Sequence, residues 1–180
     1  AGGASGMGDV LINYRWQALM EGGSTPAFSP RVSLVLPSGS PEEGLGNGGF
    51  GWQVNLPFSK QLRDVYLHWN AGFTHLPSAE SGEVTRDLVT PHLAISGIWR
   101  IRSMVHLMLE NVVEWEEFVD ANVTMRDRIV TVSPGVRFGW NSGNAQSIFG
   151  VAVPLEFARG DTGVRAMGYF SYELLFLTPP

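Results

Sequence analysis

The sequence predicts an all-β protein: an antiparallel up-and-down transmembrane β-barrel, with about nine strands in this chain. Apolar and polar residues alternate along most of its length, and strand side chains point to opposite faces with this period of two. In Val65–Thr74, one face carries valine, leucine, tryptophan, alanine and phenylalanine, and the other carries polar residues or glycine. No apolar run approaches the ~18 residues of a membrane helix. A β-barrel crosses a bilayer without one, because half of each strand faces its lumen.

The composition restricts the class of protein. The 180 residues suit a single domain, 1–180, which we expect to open with the remnant of an external loop at Ala1–Gly8. The absence of cysteine excludes disulfides, thiolate metal sites and cysteine nucleophiles. A formal charge of −5 without a basic cluster argues against nucleic-acid binding.

The first three predicted strands are Val10–Met20, Arg31–Leu36 and Phe50–Ser59. In the first, aliphatic and aromatic residues alternate with asparagine, arginine and glutamine. The second sets valine and leucine against arginine and serine, and the third sets phenylalanine, tryptophan, valine and leucine against glycine, glutamine and asparagine. β-branched and aromatic residues at every second position are typical of a half-buried strand.

The next three predicted strands are Val65–Thr74, His92–Arg102 and Val105–Trp115. The fifth carries leucine, isoleucine and tryptophan on one face, with histidine, serine and arginine on the other. The sixth opposes valine, leucine and tryptophan to histidine, methionine and glutamate. Nearly every charge within a strand therefore falls on the polar face.

The last three predicted strands are Val130–Trp140, Phe149–Phe157 and Val164–Phe176. Valine, phenylalanine and tryptophan of the seventh stand opposite threonine, serine, glycine and arginine. The eighth and ninth repeat the pattern, with glutamate, serine, arginine and glycine among the residues of their polar faces.

A soluble β-sandwich would show the same alternation, with its apolar face in a core. Two observations favour a membrane barrel instead. Aromatic residues such as Trp52, Trp99 and Trp140 cluster toward the ends of the apolar sets, where interfacial girdles place them. The polar face also has few lysines, and we expect Lys60 to lie in a turn.

The connections alternate in length, as the loops of outer-membrane barrels do. The long ones would be external and the short ones periplasmic. Since single-chain bacterial barrels have an even number of strands, nine strands predict an incomplete barrel of 10–12, with at least one further strand upstream of Ala1. The expected long links are Ser38–Gly49, Ser78–Val89 and Glu116–Arg128, and the short ones are Ser59–Asp64, Arg102–Met104 and Asn141–Ser147.

Three segments carry a family resemblance: Leu-Ile-Asn-Tyr-Arg at 11–15, Pro-Arg-Val-Ser-Leu-Val-Leu-Pro-Ser-Gly at 30–39 and Gly-Trp-Gln-Val-Asn-Leu-Pro-Phe-Ser at 51–59. With the glycine-rich link between the last two, they resemble the bacterial outer-membrane transporter family named for the meta-pathway of phenol degradation, over about the first 80 residues. The resemblance implies passage of aromatic or other hydrophobic compounds, and a longer N-terminus. The last strand, 168–176, is similar to the C-terminal signal read by the barrel-assembly machinery, although Leu-Thr-Pro-Pro follows its final aromatic residue.

The polar faces define the candidate lumen. Its charges either neutralise one another and fill a narrow barrel, or form a selective constriction with an anion-favouring arginine wall. The expected lumen-lining residues are Asn13, Arg15, Arg31, Gln53, Asn55, His68, Asn70, His92, Arg100, His106, Glu110, Glu114, Arg137, Glu156, Arg165 and Glu173.

Hairpin geometry predicts cross-strand neighbours within this set. The predictions assume turns at Arg102–Met104, Ala158–Gly163 and Ser59–Asp64, and opposite charges across strands would contribute ~0.2–1 kcal/mol per pair. The expected pairs are Arg100 with His106, Ser96 with Glu110, His92 with Glu114, Glu156 with Arg165, and Asn55 with His68.

An outer-membrane enzyme is a rival hypothesis. His75 with Asp87 and Glu83 would be an arrangement near one rim but not a triad, since no serine stands in a Gly-x-Ser-x-Gly setting. We expect no catalytic residue, no metal and no cofactor.

The expected protein is a porin-like passive channel or transporter-like protein of the Gram-negative outer membrane. Its solutes would be small molecules, hydrophobic or aromatic ones among them. The expected partners are the lipid bilayer, the barrel-assembly machinery and a small hydrophobic solute, with oligomerisation open. The alternative is a structural or partner-binding barrel with a filled, non-conducting lumen.

Overall fold

The computed structural model describes residues 5–43, 45–81, 84–120 and 123–174. Twelve β-strands in these ranges form one antiparallel sheet, and a 3₁₀ turn at Pro41–Glu43 precedes the fourth of them. The strands are β1 (Val10–Arg15), β2 (Ala27–Phe28), β3 (Arg31–Leu36), β4 (Gly51–Leu62), β5 (Val65–Ser81), β6 (Val84–Arg102), β7 (Val105–Asp120), β8 (Val123–Ser142), β9 (Ala145–Ala152), β10 (Leu155–Ala158), β11 (Asp161–Val164) and β12 (Met167–Leu174).

Pairing follows chain order, as the up-and-down prediction requires. β1 pairs with β3, and each strand from β3 to β8 pairs with the next. β8 then pairs with both β9 and β10, while β11 pairs with β10 and β12 with β9. β9 and β10 are thus one strand interrupted at Val153–Pro154, because proline cannot donate to the ladder. β11 and β12 are likewise one strand interrupted at Arg165–Ala166, so with the two-residue β2 set aside the twelve strands correspond to the nine predicted ones.

The sheet is open. Within the described ranges β1 pairs with β3 alone, and neither β11 nor β12 pairs with β1. The all-β, antiparallel, up-and-down architecture is confirmed, but these residues do not close it into a barrel. None of the described residues belongs to a helix long and apolar enough to cross a membrane.

Two of the predicted loops are strand. The prediction of long links at Ser78–Val89 and Glu116–Arg128 is wrong, since β5 to β8 continue through most of both segments. Their charges pair across the ladder instead of marking a loop: Glu117 is the register partner of Arg126. The prediction at Ser38–Gly49 is confirmed, since the described residues of this segment contain a 3₁₀ turn and no strand. Residues 82–83 and 121–122 lie outside the described ranges.

Three of the predicted cross-strand pairs are correct and two are wrong. Arg100–His106, Ser96–Glu110 and His92–Glu114 are paired as predicted, beside a bulge after Arg100. The prediction of Asn55 beside His68 is wrong, because β4 runs on to Leu62 and the turn is only Arg63–Asp64; Asn55 pairs with Gly72 and Ser59 with His68. Glu156 pairs with Gly163 rather than Arg165, around a tight turn at Arg159–Gly160.

Positive φ angles explain both tight turns. Arg63 has φ 55°, Arg159 has φ 47° and Gly160 has φ 85°. Two-residue hairpin turns need such angles to match the twist of their strands. Arginine gives little sign of this conformation in a sequence, so the strands are longer, and the turns shorter, than predicted.

Two smaller predictions near the N-terminus also differ. The first strand ends at Arg15, beyond which Leu19 forms only an isolated bridge with Phe28. Lys60 lies in β4, not in a turn, and its Nζ donates to the carbonyl oxygens of Gly22 and Gly23 at 2.6 and 2.8 Å. These bonds hold the segment after β1 against β4.

Burial in the sheet is reversed relative to a soluble sandwich. Ser33 is fully buried and Asn55 is 3% exposed, whereas Trp140 is 70% exposed and Phe50 68%. The buried apolar cluster is small and lies toward the tip of the β5–β6 hairpin: Val35, Leu76, Ala79 and Leu88. Many large apolar side chains are therefore exposed, while three polar residues, Ser29, Ser33 and Asn55, are buried.

Candidate functional site

The ladder places the predicted lumen residues on one face of the sheet. Cross-strand partners share a face, so pairing extends the assignment from strand to strand. A first row of partners is Arg15, Arg31, Asn55, Gly72, His92 and Glu114. Further rows on the same face are His68, Ser96, Glu110 and Ser133, then Arg100, His106, Arg137 and Gly150, and finally Gln146 with Glu173.

Asn55 is the centre of a hydrogen-bond network on this polar face. Its Oδ1 accepts from Nδ2 of Asn70 and Nε2 of His92, both at 2.8 Å, which requires the His92 tautomer with a proton on Nε2. Its Nδ2 donates to Gln53 Oε1 at 2.8 Å. Gln53 in turn donates to Thr74 Oγ1 at 2.9 Å. The network spans β4 to β6 and orders the polar face there.

A second polar contact secures the edge of the sheet. The hydroxyl of Ser33 donates to Oδ1 of Asn13 at 2.6 Å, between β3 and β1. Because Ser33 is fully buried, this bond satisfies a group that would otherwise be costly to bury.

Three of the predicted arginines have partners close to their strand ends. Arg100 donates to Asp64 Oδ1 from Nη2 at 2.7 Å and from Nε at 3.1 Å. Arg137 contacts His106 Nδ1 at 2.8 Å, and Arg165 forms an ion pair with Glu156 at 2.7 Å. Glu156 and Arg165 thus meet diagonally, although their predicted register is wrong.

Asp64 is a residue that the sequence reasoning missed. It lies in the β4–β5 turn, and its carbonyl oxygen also accepts from the backbone N–H of Arg100 at 2.8 Å. The sequence shows a carboxylate in a turn and an arginine near the end of a neighbouring strand. Whether the two side chains meet depends on the exact length of the turn, which is not readable from the sequence.

A cavity of 450 Å³ opens on the polar face. Along the sheet, β3 and β7 are four strand spacings apart, or about 19 Å at ~4.8 Å each. Residues of β3 and β7, and of the strands between them, line this one cavity, so the polar face is concave around it. The polar lining residues are Arg15, Ser29, Arg31, Asn55, Ser59, His68, Asn70, Ser96 and Glu110.

The opposite, outer face carries an apolar band, interrupted near its middle by Asn111. On β6, β7 and β8 it runs over Val89–Trp99, Val105–Trp115 and Val130–Trp140, eleven residues each. Ten steps of ~3.4 Å give about 34 Å, or about 24 Å of height at a 45° tilt. Side chains in this apolar band include Ile95, 56% exposed, and Leu109, 48% exposed.

Charged residues end the apolar band on adjacent strands. On the outer face His75 follows it on β5, Asp87 on β6, and Glu117 on β7. His75 Nε2 and Asp87 Oδ1 are 2.5 Å apart, and Glu117 accepts from Arg126 at 2.5 Å and from Val89 N at 2.7 Å. We call His75, Asp87, Glu117, Arg126 and Arg128 the charged rim.

Aromatic side chains border the apolar band at both ends. Trp52 lies beside the charged rim, with its ring centroid 5.5 Å from that of His75. Trp99 and Trp140 lie at the other end, 54% and 70% exposed, next to the hairpin turns. This is the placement that the sequence predicts for interfacial aromatics.

The histidines do not converge. His75 and Asp87 meet as the enzyme hypothesis requires, but on the outer face, and Glu83 lies outside the described residues. His68, His92 and His106 occupy three different rows of the ladder. In the part of the chain that the structure covers, no group of three His, Asp or Glu side chains is arranged to hold a metal ion.

The fold and the two faces define a class: a curved, antiparallel up-and-down sheet with a polar concave face and an apolar outer face. Comparison with known proteins adds no family, since neither a protein-family model nor a curated protein sequence matches the chain. The resemblance to the phenol meta-pathway transporter family stays a prediction.

Proposed function

We propose that this chain forms the wall of a bacterial outer-membrane β-barrel, a passive channel or transporter-like protein for small molecules, hydrophobic or aromatic ones among them. The observation that carries the proposal is the apolar band of the outer face, ended by the charged rim on one side and hairpin turns on the other. At the 45° tilt typical of transmembrane strands, eleven residues would give a height of about 24 Å, close to the ~25 Å apolar band of membrane barrels.

The exposure of the apolar band supports a lipid environment. Leu93, Ile95 and Leu109 are about half exposed, in neighbouring positions at the middle of the apolar band. Contiguous apolar surface of this extent is rare on soluble monomers and marks a protein or membrane contact. The aromatic residues at both edges favour the membrane, where tryptophan prefers the interface.

The edges of the sheet add a requirement. Unpaired backbone groups cost several kcal/mol each in hydrocarbon, so β1 and β12 must be paired in the bilayer, with each other or with further strands. We propose that a closed barrel is the functional state and that the concave polar face becomes its lumen.

The alternative is a filled, non-conducting barrel that binds a partner. The Asn55 network and the pairs of Arg100, Arg137 and Arg165 favour it, since they fix side chains across the polar face. The 450 Å³ cavity favours passage, because space remains beside those side chains.

Two measurements test the proposal. Extraction of the full-length protein from membranes should need detergent; release by buffer alone would overturn the membrane assignment. Reconstituted in planar bilayers, the protein should give discrete single-channel openings. Correctly inserted protein without openings of any size would reject the channel and leave the filled barrel.

A further inference from the structure

Two arginines that line the cavity have no ion-pair partner among the described residues. Arg15 on β1 and Arg31 on β3 are direct register partners, and like charges placed directly opposite each other destabilise a sheet. Within the described ranges neither forms an ion pair. Arg31 donates from Nη2 to Gln53 Oε1 at 3.4 Å, and its Nε is buried without a hydrogen-bond partner.

A buried donor without an acceptor costs ~1–3 kcal/mol, more where the group is charged. Arg31 and Arg15 both line the 450 Å³ cavity. An acceptor that enters this space and carries a negative charge would satisfy the buried Nε and relieve the repulsion between the two guanidinium groups. Carboxylates suit arginine especially well, because they accept two parallel N–H bonds.

Other residues that line the cavity restrict the class of ligand further. The Oδ1 of Asn70 is buried and accepts no hydrogen bond from the described residues, so the ligand needs a donor there. Glu110 also lines the cavity and would repel a second carboxylate. Pro57 and Ala94, which both pair with Asn70 on the polar face, are among the apolar lining residues, which suits an organic body.

We propose that the cavity binds a small organic monoanion, with its carboxylate at Arg15 and Arg31 and a hydroxyl group donating to Asn70. The inference rests on the proposed function, because it identifies the solute class of the same polar face.

The test is calorimetric titration of the folded, detergent-solubilised full chain with 4-hydroxybenzoate, its neutral analogue 4-hydroxybenzamide, and benzoate. The acid should bind at least tenfold more tightly than the amide, since hydrogen bonds to charged groups are worth more than tenfold in affinity. Benzoate, which lacks the hydroxyl, should bind several-fold more weakly than 4-hydroxybenzoate.

Variants assign the effect to the two arginines. Arg31→Gln and Arg15→Gln should each weaken binding of the acid at least tenfold and leave the amide unchanged. Arg165→Gln is the matched control: it removes an arginine that is paired with Glu156, and binding should stay within twofold. If Arg31→Gln does not fold, Arg15→Gln decides alone, because the Arg15 side chain is exposed and at the sheet edge.

Equal affinity for acid and amide, no binding by folded protein, or unchanged affinity in Arg15→Gln would each overturn the anion site. Single-channel conductance, measured on the same protein, distinguishes failure of the anion site from failure of the proposed channel function. A protein that conducts but binds no carboxylate keeps the channel and loses the site, whereas one that binds without conducting keeps the site and loses the channel.

Discussion

The substitution Ile95→Arg tests which medium the outer face contacts. Ile95 lies at the middle of the apolar band on β6, between register partners Trp69 and Asn111. Arginine at the bilayer midplane of a barrel costs about 2–4 kcal/mol, and the cost falls to about 0–1 kcal/mol near the interface. On a water-exposed surface the same change stays within about 0.5 kcal/mol.

Ile101→Arg is the matched control. Ile101 is 46% exposed and Ile95 56%, but Ile101 lies beside the hairpin turn at the end of the apolar band. If the outer face contacts lipid, Ile95→Arg lowers the free energy of unfolding by about 2–4 kcal/mol and Ile101→Arg by at most about 1 kcal/mol.

Reversible denaturant unfolding from lipid vesicles measures this difference. The six tryptophans of the chain report it by fluorescence. Equal effects of the two substitutions, or effects within about 0.5 kcal/mol for both, would refute the depth argument and with it the lipid-facing outer surface.

Three further predictions concern the polar face and the register. Asn55→Ala should lower the free energy of unfolding by about 1–3 kcal/mol, because it leaves buried groups without partners; a loss below 0.5 kcal/mol in denaturant titration would contradict the network. Gly72→Ala should cost about 1–3 kcal/mol, since a Cβ there would clash with the backbone oxygen of Val54 and lie 2.6 Å from His92 Nε2. Gly97→Ala, whose Cβ meets nothing nearer than 3.9 Å, should be neutral in the same titration. Cysteines introduced in place of Phe58 and Trp69, register partners in this otherwise cysteine-free chain, should form a disulfide on oxidation. Cysteines in place of Phe58 and Val65 should not. If non-reducing gels show the reverse pattern, the register predicted from the sequence is correct.

The faces of the sheet were predictable, but two of its registers were not. The face of a strand residue depends only on whether its position is odd or even along the strand. Both register errors are shifts by an even number of residues: Val65 pairs with Leu62 rather than Phe58, and Val164 with Leu155 rather than Phe157. An even shift leaves each side chain on its own face, whereas a shift of one would exchange the faces. For this reason the lumen-lining set lies on one face although some of its pairs are wrong.

The length of the strands was also not predictable from the sequence. The β7–β8 hairpin extends past the apolar band through residues that include Glu117 and Arg126, and charge density at this level suggests a loop. In the structure the charges face each other across the ladder, so the strand continues. Composition alone does not reveal which opposite charges meet.

The arginines of the polar face fall into two groups, and only one is explained by neutral filling of the lumen. Arg100 and Arg165 pair with the carboxylates of Asp64 and Glu156, and Arg137 contacts His106.

Arg15 and Arg31, which end β1 and begin β3, face each other and contact neither a carboxylate nor a histidine in the described part of the chain. A lumen that only needed filling would place an acidic residue beside them, as it does beside Arg165. Their charge therefore remains available to the cavity, and a closed barrel would present it to any solute that enters.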